Sequence, residues 1–348
     1  MEYIRQIIKN MEPYIPGEQP SDGEYIKLNT NENPFPPSKE VVENLFSDIN
    51  ENLKKYPDPL CNEFRKLYAK QYGLEPNQII VGNGSDETIR MIFHLLIDQG
   101  DTIGILNPTY SLYPVVADMY GGKIKKYDLI GENYEIPEEI FADDSKLLIL
   151  CNPNPPIGTF YDIALIDRIC KRIKGVLMVD EAYVDFAEDT CLRLLKDNNN
   201  LIICRTFSKS FSLAGMRIGI GIANKDMIDA LYKIKDSYNI NRLSQSAGIG
   251  AMKSVDYYKE NVEIIKSNRV YLRNELIKLG FNVPKTQSNF VFAKIDNAKQ
   301  IYQQLKEKKI LVRYFSDPIL ANGVRITVGT KEEIDILIKT LKDILEKD

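Results

Sequence analysis

The residues best suited to chemistry in this chain of 348 residues lie between Thr206 and Arg217. Lys209 stands between two serines, shortly after the apolar run Leu201–Cys204. A lysine amine beside apolar surface loses its proton readily and can form a Schiff base with a carbonyl. Hydroxyl and guanidinium groups hold phosphates, and Thr206, Ser208 and Arg217 supply them here. The same stretch also fits a surface loop with a solvated lysine, so its surroundings must decide.

The pattern around this stretch predicts a mainly parallel sheet covered by helices. From Ile79 onward, short apolar runs alternate with helical patterns, as in sheets that are buried on both faces. Ligands bind such sheets at the carboxyl ends of the strands. The singled-out residues that follow a predicted strand are Gly84, Tyr110, Asn152, Asp180 and Lys209. The sequence therefore predicts one site at this edge of the sheet.

These residues together indicate a particular cofactor. Asp180 follows the apolar run Val176–Val179, and a buried carboxylate needs a cation such as a protonated ring nitrogen, a lysine or an arginine. The turn at Gly84 opens a helix, whose N-terminus favours an anion. Tyr110 is able to stack on a ring, although a lone tyrosine is more often packing. An amine, an acid, an aromatic face and an anion site together fit pyridoxal phosphate.

Composition excludes several other classes of function. A formal net charge of −4 without a basic face argues against nucleic-acid binding. The single histidine, His94, lies in a predicted amphipathic helix, which argues against a Ser-His-Asp hydrolase and against a histidine-ligated metal site. The five cysteines show no Cys-x-x-Cys spacing and are interpreted as reduced core residues. No apolar run approaches the roughly 20 residues of a membrane span, and the start lacks signal-peptide features, so we expect a cytoplasmic protein.

The order of the motifs resembles that of a known family. The matching motifs are Pro13–Gly17, Leu28–Pro34, Tyr56–Asp58, Gly84–Glu87, Pro108–Tyr110, Asn152–Asn154, Val179–Tyr183, Thr206–Lys209, Leu213–Arg217 and Val324–Thr330. On these motifs the chain resembles the fold-type I aminotransferases that depend on pyridoxal phosphate. Within that class it resembles the histidinol-phosphate aminotransferases over nearly its whole length.

The resemblance implies an α/β fold. It implies a large cofactor-binding domain at residues 29–245, on a mainly parallel seven-stranded sheet, and a smaller α+β domain at residues 246–348. It also implies an N-terminal arm at residues 1–28 that packs with the small domain. Within the small domain, the segments Asn289–Ala293, Ile310–Arg313 and Val324–Val328 alternate as antiparallel strands should.

The resemblance also implies roles for single residues. Lys209 would form the Schiff base with the cofactor and carry the substrate's proton, while Asp180 would keep the ring nitrogen protonated. The ring oxygen would be bound by Asn152 and Tyr183, and the ring face by Tyr110. The phosphate would be held by Ser85, Asp86, Thr206, Ser208, Arg217 and, from the second subunit of a homodimer with shared sites, Tyr56. The small-molecule amino-acid and keto-acid substrates would be contacted by Tyr14, Asn33, Asn289, Arg313 and Arg325.

One loop departs from the family pattern. The family usually has Asn-Pro-Asn-Asn-Pro-Thr-Gly, whereas this chain has Asn152-Pro-Asn-Pro-Pro-Ile-Gly158. Pro155 removes a backbone donor and Ile157 removes a hydroxyl beside the cofactor. The leading hypothesis is transamination between histidinol phosphate and 2-oxoglutarate in histidine biosynthesis. The alternatives are an aromatic aminotransferase, a lyase similar to threonine-phosphate decarboxylase, and a scaffold that binds the cofactor or an amino acid without turnover.

Overall fold

The structure, a computed structural model, describes residues 3–20 and 23–346. Within these residues the strands are β1 (Ile26–Lys27), β2 (Ile79–Asn83), β3 (Thr102–Asn107), β4 (Lys123–Asp128), β5 (Leu147–Cys151), β6 (Val176–Asp180), β7 (Leu201–Thr206), β8 (Ile218–Ala223), β9 (Phe290–Lys294), β10 (Ile310–Leu311), β11 (Arg313–Tyr314) and β12 (Gly323–Thr327). The helices are α1 (Gln6–Asn10), α2 (Lys39–Asp48), α3 (Asn62–Tyr72), α4 (Ser85–Leu96), α5 (Leu112–Tyr120), α6 (Ile163–Arg172), α7 (Lys225–Ile234), α8 (Arg242–Lys253), α9 (Val255–Lys278), α10 (Ala298–Glu307) and α11 (Lys331–Leu345).

The largest sheet in the described part of the chain has seven strands, in the order β2-β8-β7-β6-β5-β3-β4. Strand β8 is antiparallel to β2 and β7, and the other neighbours are parallel. Successive residues of a strand point to opposite faces of the sheet. Leu177 and Val179 accordingly pack in one hydrophobic cluster and Met178 in another. The prediction of an α/β fold with a mainly parallel seven-stranded sheet is confirmed.

A smaller unit follows in the last third of the chain. Strands β11, β12 and β9 form an antiparallel sheet, and helices α9, α10 and α11 pack on it around buried residues such as Phe290 and Ile326. The prediction of one antiparallel strand over Ile310–Arg313 is wrong. That segment splits into β10 and β11, because the N-terminal strand β1 pairs in parallel with β10 and only β11 joins the antiparallel sheet. Periodicity within the segment carries no information about this distant partner.

The domain limits at residues 28, 245 and 348 stay predictions, and residues 1, 2, 21, 22, 347 and 348 lie outside the described residues. Helix α8 spans the 245/246 limit, and its residues Ala247 and Ala251 pack in the same cluster as the large sheet. Along α9, Tyr258 still belongs to that cluster, whereas Val262 belongs to the small unit. The two cores therefore meet along α9.

Candidate active site

The polar residues predicted to follow strands meet at one edge of the large sheet. Asp180 ends β6, and its partners in the sheet register are Cys151 on β5 and Cys204 on β7. Strand β7 ends at Thr206, and the turn after it carries Lys209. Parallel alignment of these strands thus brings a carboxylate and an amine, distant in sequence, to the same rim.

Lys209 lies inside this rim, half-buried. Its Nζ donates to the carbonyl oxygen of Thr30 at 3.1 Å and lies 5.8 Å from the centre of the Tyr183 ring. Burial, followed by the like charge of Arg325, lowers the pKa of Lys209 to about 8. An amine with such a pKa is available as a nucleophile and as a proton acceptor near neutral pH.

Asp180 is buried, with 3% of its surface exposed. The hydroxyl of Tyr113 donates to Oδ2 at 2.8 Å, and the backbone N–H of Ala182 donates to Oδ1 at 3.0 Å. Burial raises the pKa of Asp180 to about 6 even though these two donors lower it. A buried carboxylate held by neutral donors, with no salt bridge among the described residues, has unused affinity for a cation.

An anion cradle lies beside the amine. Helix α4 begins at Ser85, and Arg217 reaches its first turn, with Nη2 at 3.5 Å from Asp86 Oδ2. Arg217 Nη1 also donates to the hydroxyl of Ser208 at 3.3 Å, and that hydroxyl lies 2.9 Å from Thr206 Oγ1. Backbone N–H groups, two hydroxyls and a guanidinium therefore converge, which is the arrangement that binds phosphate.

Two glycines make this cradle possible. Gly84 has a φ of +78°, and a Cβ there would lie 2.3 Å from Arg217 Nη2. Gly219 on β8 lies so close to α4 that a Cβ would be 2.3 Å from the backbone nitrogen of Ser85. A side chain at either position would displace the guanidinium or the helix N-terminus.

An aromatic wall closes one side of the rim. The ring of Tyr110 meets the rings of Tyr14 and Tyr113 edge-on, at centroid distances of 5.8 and 5.5 Å. Burial raises the pKa of Tyr110, so its hydroxyl stays protonated. Tyr113 links this wall to the carboxylate, because the same side chain donates to Asp180.

Two arginines face each other across strands β11 and β12. Arg313 and Arg325 are directly opposite in the β11–β12 register, and neither has a carboxylate partner among the described residues. Arg325 donates through Nη2 to the carbonyl of Asn29 at 2.8 Å, and its Nε is buried without a partner in the described part of the chain. Asn289 is wholly buried, and within the same residues its Oδ1 also lacks a partner. The like charge opposite Arg325 and its orphaned Nε donor indicate a place for an anion, whereas the orphaned Asn289 Oδ1 is an acceptor and suits a donor group.

Four of the residues predicted from the sequence lie in other contacts. Asn152 binds the backbone of Tyr161 through both Oδ1 and Nδ2, so its polar atoms hold the loop. The amide of Asn33 donates to the carbonyls of Lys209 and Ser210 at 3.0 Å each. The guanidinium of Arg313 and the ring of Tyr56 have partners of their own. Arg313 donates to the carbonyls of Ile15 and Pro16, and Tyr56 is 77% exposed and stacks on Tyr238.

Sequence reasoning missed three contributors to the site. The first is Tyr113, which lies in the first turn of α5, three residues after Tyr110. The others are the Thr30 carbonyl and Asn31, both in the amide-rich segment Leu28–Pro34. That segment indicated a role, but its composition does not say which residue contacts which side chain.

Ile157, in the loop that departs from the family pattern, is wholly buried and packs with Tyr134, Phe292 and Leu320.

Comparison with known proteins decides the class. The family model described as aminotransferase class I and II matches residues 23–341. The chain belongs to the class I and II aminotransferases. A curated relative of this aminotransferase, the histidinol-phosphate aminotransferase of Citrifermentans bemidjiense, is 44% identical over 347 residues, which are 98% of this chain and 98% of the relative.

Solved structures show the same fold. Histidinol-phosphate aminotransferase from Sinorhizobium meliloti, in complex with pyridoxal-5'-phosphate, has a TM-score of 0.91 at 22% identity and covers 100% of this chain and 98% of its own. L-threonine-O-3-phosphate decarboxylase from Porphyromonas gingivalis has a TM-score of 0.81 at 22% identity, over 92% of this chain and 99% of its own. The fold is therefore common to proteins named for different reactions. None of the helices that the structure describes has the length and apolar character needed to cross a membrane.

Proposed function

We propose that this aminotransferase uses pyridoxal phosphate to exchange an amino group between histidinol phosphate and 2-oxoglutarate, in histidine biosynthesis. The observation that carries the chemistry is the amine of Lys209, which burial keeps near a pKa of about 8 at the rim that also holds Asp180. The substrate assignment is supported by the curated relative's name and by its 44% identity over nearly the full length of both chains.

The side chains at the rim fit pyridoxal phosphate one by one. The amine of Lys209 suits an aldehyde, the cradle at α4 suits a phosphate, and the underused carboxylate of Asp180 suits a protonated ring nitrogen. Tyr110 offers a ring face. When bound, this cofactor supplies an electron sink that stabilises negative charge on the substrate's α-carbon.

The chain's own residues then have separable roles. Lys209 Nζ would hold the cofactor through its aldehyde carbon and, once the substrate's amine had replaced it there, would be free to move a proton to or from the substrate's α-carbon. Asp180 holds the proton on the ring nitrogen, and Tyr113 and the backbone N–H of Ala182 hold that carboxylate in place. Tyr183, with 8% of its surface exposed, would donate to the ring oxygen. Arg325 would bind an anionic group of the substrate through Nε, and Asn289 would accept from a substrate donor through Oδ1, two atoms without a partner in the part of the chain that the structure describes.

We also propose that the enzyme is a homodimer whose partner supplies Tyr56. Tyr56, its stacking partner Tyr238 and several apolar residues near Tyr56 in sequence are solvent-exposed in the single chain, and large exposed apolar patches mark interfaces. The exposed side chains are Val42, Phe46, Ile49, Leu53, Tyr56, Leu60 and Tyr238. Tyr56 is 77% exposed in one subunit and stacks on Tyr238, so its side chain is accessible to a second copy.

The test is a half-reaction and a full turnover with the purified protein. For the half-reaction, pyridoxal phosphate and glutamate are added and the 2-oxoglutarate formed is measured. For the full turnover, keto acceptors that carry imidazole, phenyl or no ring are then supplied, and the amino product of each is measured. The proposal predicts amino transfer that is fastest with imidazole-acetol phosphate. Release of carbon dioxide from a phosphorylated amino acid without formation of a keto acid would instead favour the lyase. Binding of the cofactor without either product would favour a scaffold without turnover.

A further inference from the structure

One short segment touches several of the residues that the proposed function requires. The carbonyl of Asn29 accepts from Arg325, and the carbonyl of Thr30 accepts from Lys209. The amide of Asn33 binds the backbone carbonyl of Lys209 from the other side, at 3.0 Å. The amide-rich segment around residues 29–33 is therefore part of the site's framework.

Asn31 lies at the centre of this segment. It is buried, with 1% of its surface exposed, and its φ is +56°, a conformation that asparagine, aspartate and glycine tolerate best. Its backbone N–H donates to Thr327 Oγ1 at 3.0 Å, and its carbonyl accepts from Asn289 Nδ2 at 3.0 Å. Its side-chain Nδ2 donates to the hydroxyl of Tyr183 at 2.9 Å.

Thr327 fixes which way the Asn31 amide points. The threonine hydroxyl accepts the Asn31 backbone N–H, which leaves its own proton for Oδ1 of the same asparagine, at 3.1 Å. With Oδ1 held at Thr327, the NH₂ end of the amide faces Tyr183. This end can only donate, so the Tyr183 oxygen accepts.

The direction of this hydrogen bond governs the Tyr183 proton. A phenol that accepts one hydrogen bond keeps its O–H free to donate elsewhere. No acceptor for this proton occurs among the described residues, and the ring of Tyr183 is held edge-on against Phe290 at 5.0 Å. The ionisable groups around the phenol are Arg325, Lys209, Asp180, Cys151 and Tyr110.

We propose that Asn31 is a positioning residue that directs the Tyr183 proton towards the ring oxygen of the cofactor. The inference rests on the proposed function and adds to it a residue that acts through another side chain. Asn31 does not touch the reacting atoms. By donating to the Tyr183 hydroxyl, it determines that this hydroxyl donates its own proton to the cofactor.

The sharpest test reverses that polarity with Asn31→Asp. The new side chain has the same shape, tolerates the same φ and still accepts from Thr327, but a carboxylate has no N–H to donate. The Tyr183 proton then turns to the carboxylate and away from the cofactor. The measurements are the pH midpoint of the visible absorption of the cofactor-loaded protein and the dissociation constant of pyridoxal phosphate. A ring oxygen that loses its donor holds a neighbouring proton more tightly, so the midpoint should rise by roughly one pH unit and the affinity should fall by about tenfold.

A double-mutant cycle with Tyr183→Phe separates this action from added charge or from damage to the fold. If Asn31 acts through Tyr183, the shift caused by Asn31→Asp becomes smaller in the Tyr183→Phe background, where only the effect of the added carboxylate charge remains. Asn31→Gly, which suits the same φ without adding a charge, should raise the midpoint in the same direction by a smaller amount. An equal shift in both backgrounds, or no shift with Asn31→Asp, overturns the inference. If the wild-type protein shows no cofactor absorption, the proposed function fails instead, so the two failures are distinguishable.

Discussion

The protonation of Lys209 in the cofactor-free protein gives a quantitative test of the site. Burial and Arg325 lower its pKa from the ordinary value of 10.5 to about 8. A difference of 10.5 minus 8, or about 2.5 units, leaves roughly 300 times more free amine near pH 7 than an ordinary lysine has. The reason is desolvation of the ammonium together with repulsion from a nearby guanidinium.

The assay is trace labelling of the cofactor-free protein with an amine-reactive anhydride over a range of pH, followed by mass spectrometry of the labelled peptides. Lys171 is the internal control, because it is exposed and its hydrogen bond to Asp167 raises its pKa. The labelling rate of Lys209 should level off above about pH 9, one unit past its pKa, while that of Lys171 continues to rise. Access of the reagent to each amine affects the absolute labelling rate, so the pH midpoints of the two labelling curves are compared instead.

The variant Arg325→Gln gives this test a second arm. Removal of the like charge stabilises the ammonium form, so the Lys209 midpoint should move to higher pH, although burial still holds it below 10.5. A wild-type midpoint at or above 10, or a midpoint that Arg325→Gln leaves in place, would refute the reasoning about the environment of this amine.

Three other changes have defined outcomes. Arg325→Gln should lower kcat/KM for the phosphorylated substrate by at least about 30-fold, because it removes a buried charge pair worth ~2 kcal/mol. An unchanged kcat/KM in steady-state kinetics would contradict the role of Arg325. Glu181→Gln removes the buried charged partner of Arg205, whose Nη2 lies 2.8 Å from the Glu181 carboxylate. Urea denaturation should therefore show a loss of about 3–5 kcal/mol in the free energy of unfolding. The control Asp167→Asn, at the more exposed pair with Lys171, should lower it by less than about 1 kcal/mol. Phe46→Glu, at a side chain that is 72% exposed, should convert a dimer to monomers in light scattering, and a monomeric wild type would exclude the proposed assembly.

Sequence patterns predict the large sheet and the residues at its rim well, for a local reason. Each of Asp180, Asn152 and Lys209 follows an apolar run, and a buried parallel strand brings whatever follows it to the same edge. The reversal of β8 was not predictable in this way, because an apolar run reads the same in either direction. The pairing of β1 with β10 joins segments that are hundreds of residues apart and leaves no local trace.

The contacts within the site were the least predictable part. Asn31 and Tyr183 are 152 residues apart, and their hydrogen bond depends on how the N-terminal segment lies between the two cores. Asn152 at the ring oxygen stays a prediction: both ends of its amide bind the Tyr161 backbone, which leaves one Nδ2 proton for a further acceptor. A residue type predicts what a side chain is able to bind, whereas competition from nearby backbone groups decides what it does bind.

Attachment of the cofactor to one lysine is tested most directly by borohydride reduction of the protein loaded with pyridoxal phosphate, followed by digestion and peptide mass spectrometry. We expect the reduced cofactor on the peptide that contains Lys209, and its loss, together with the visible absorption, in Lys209→Ala. A cofactor found on a different lysine, or full amino transfer by Lys209→Ala, would contradict the assignment of this site.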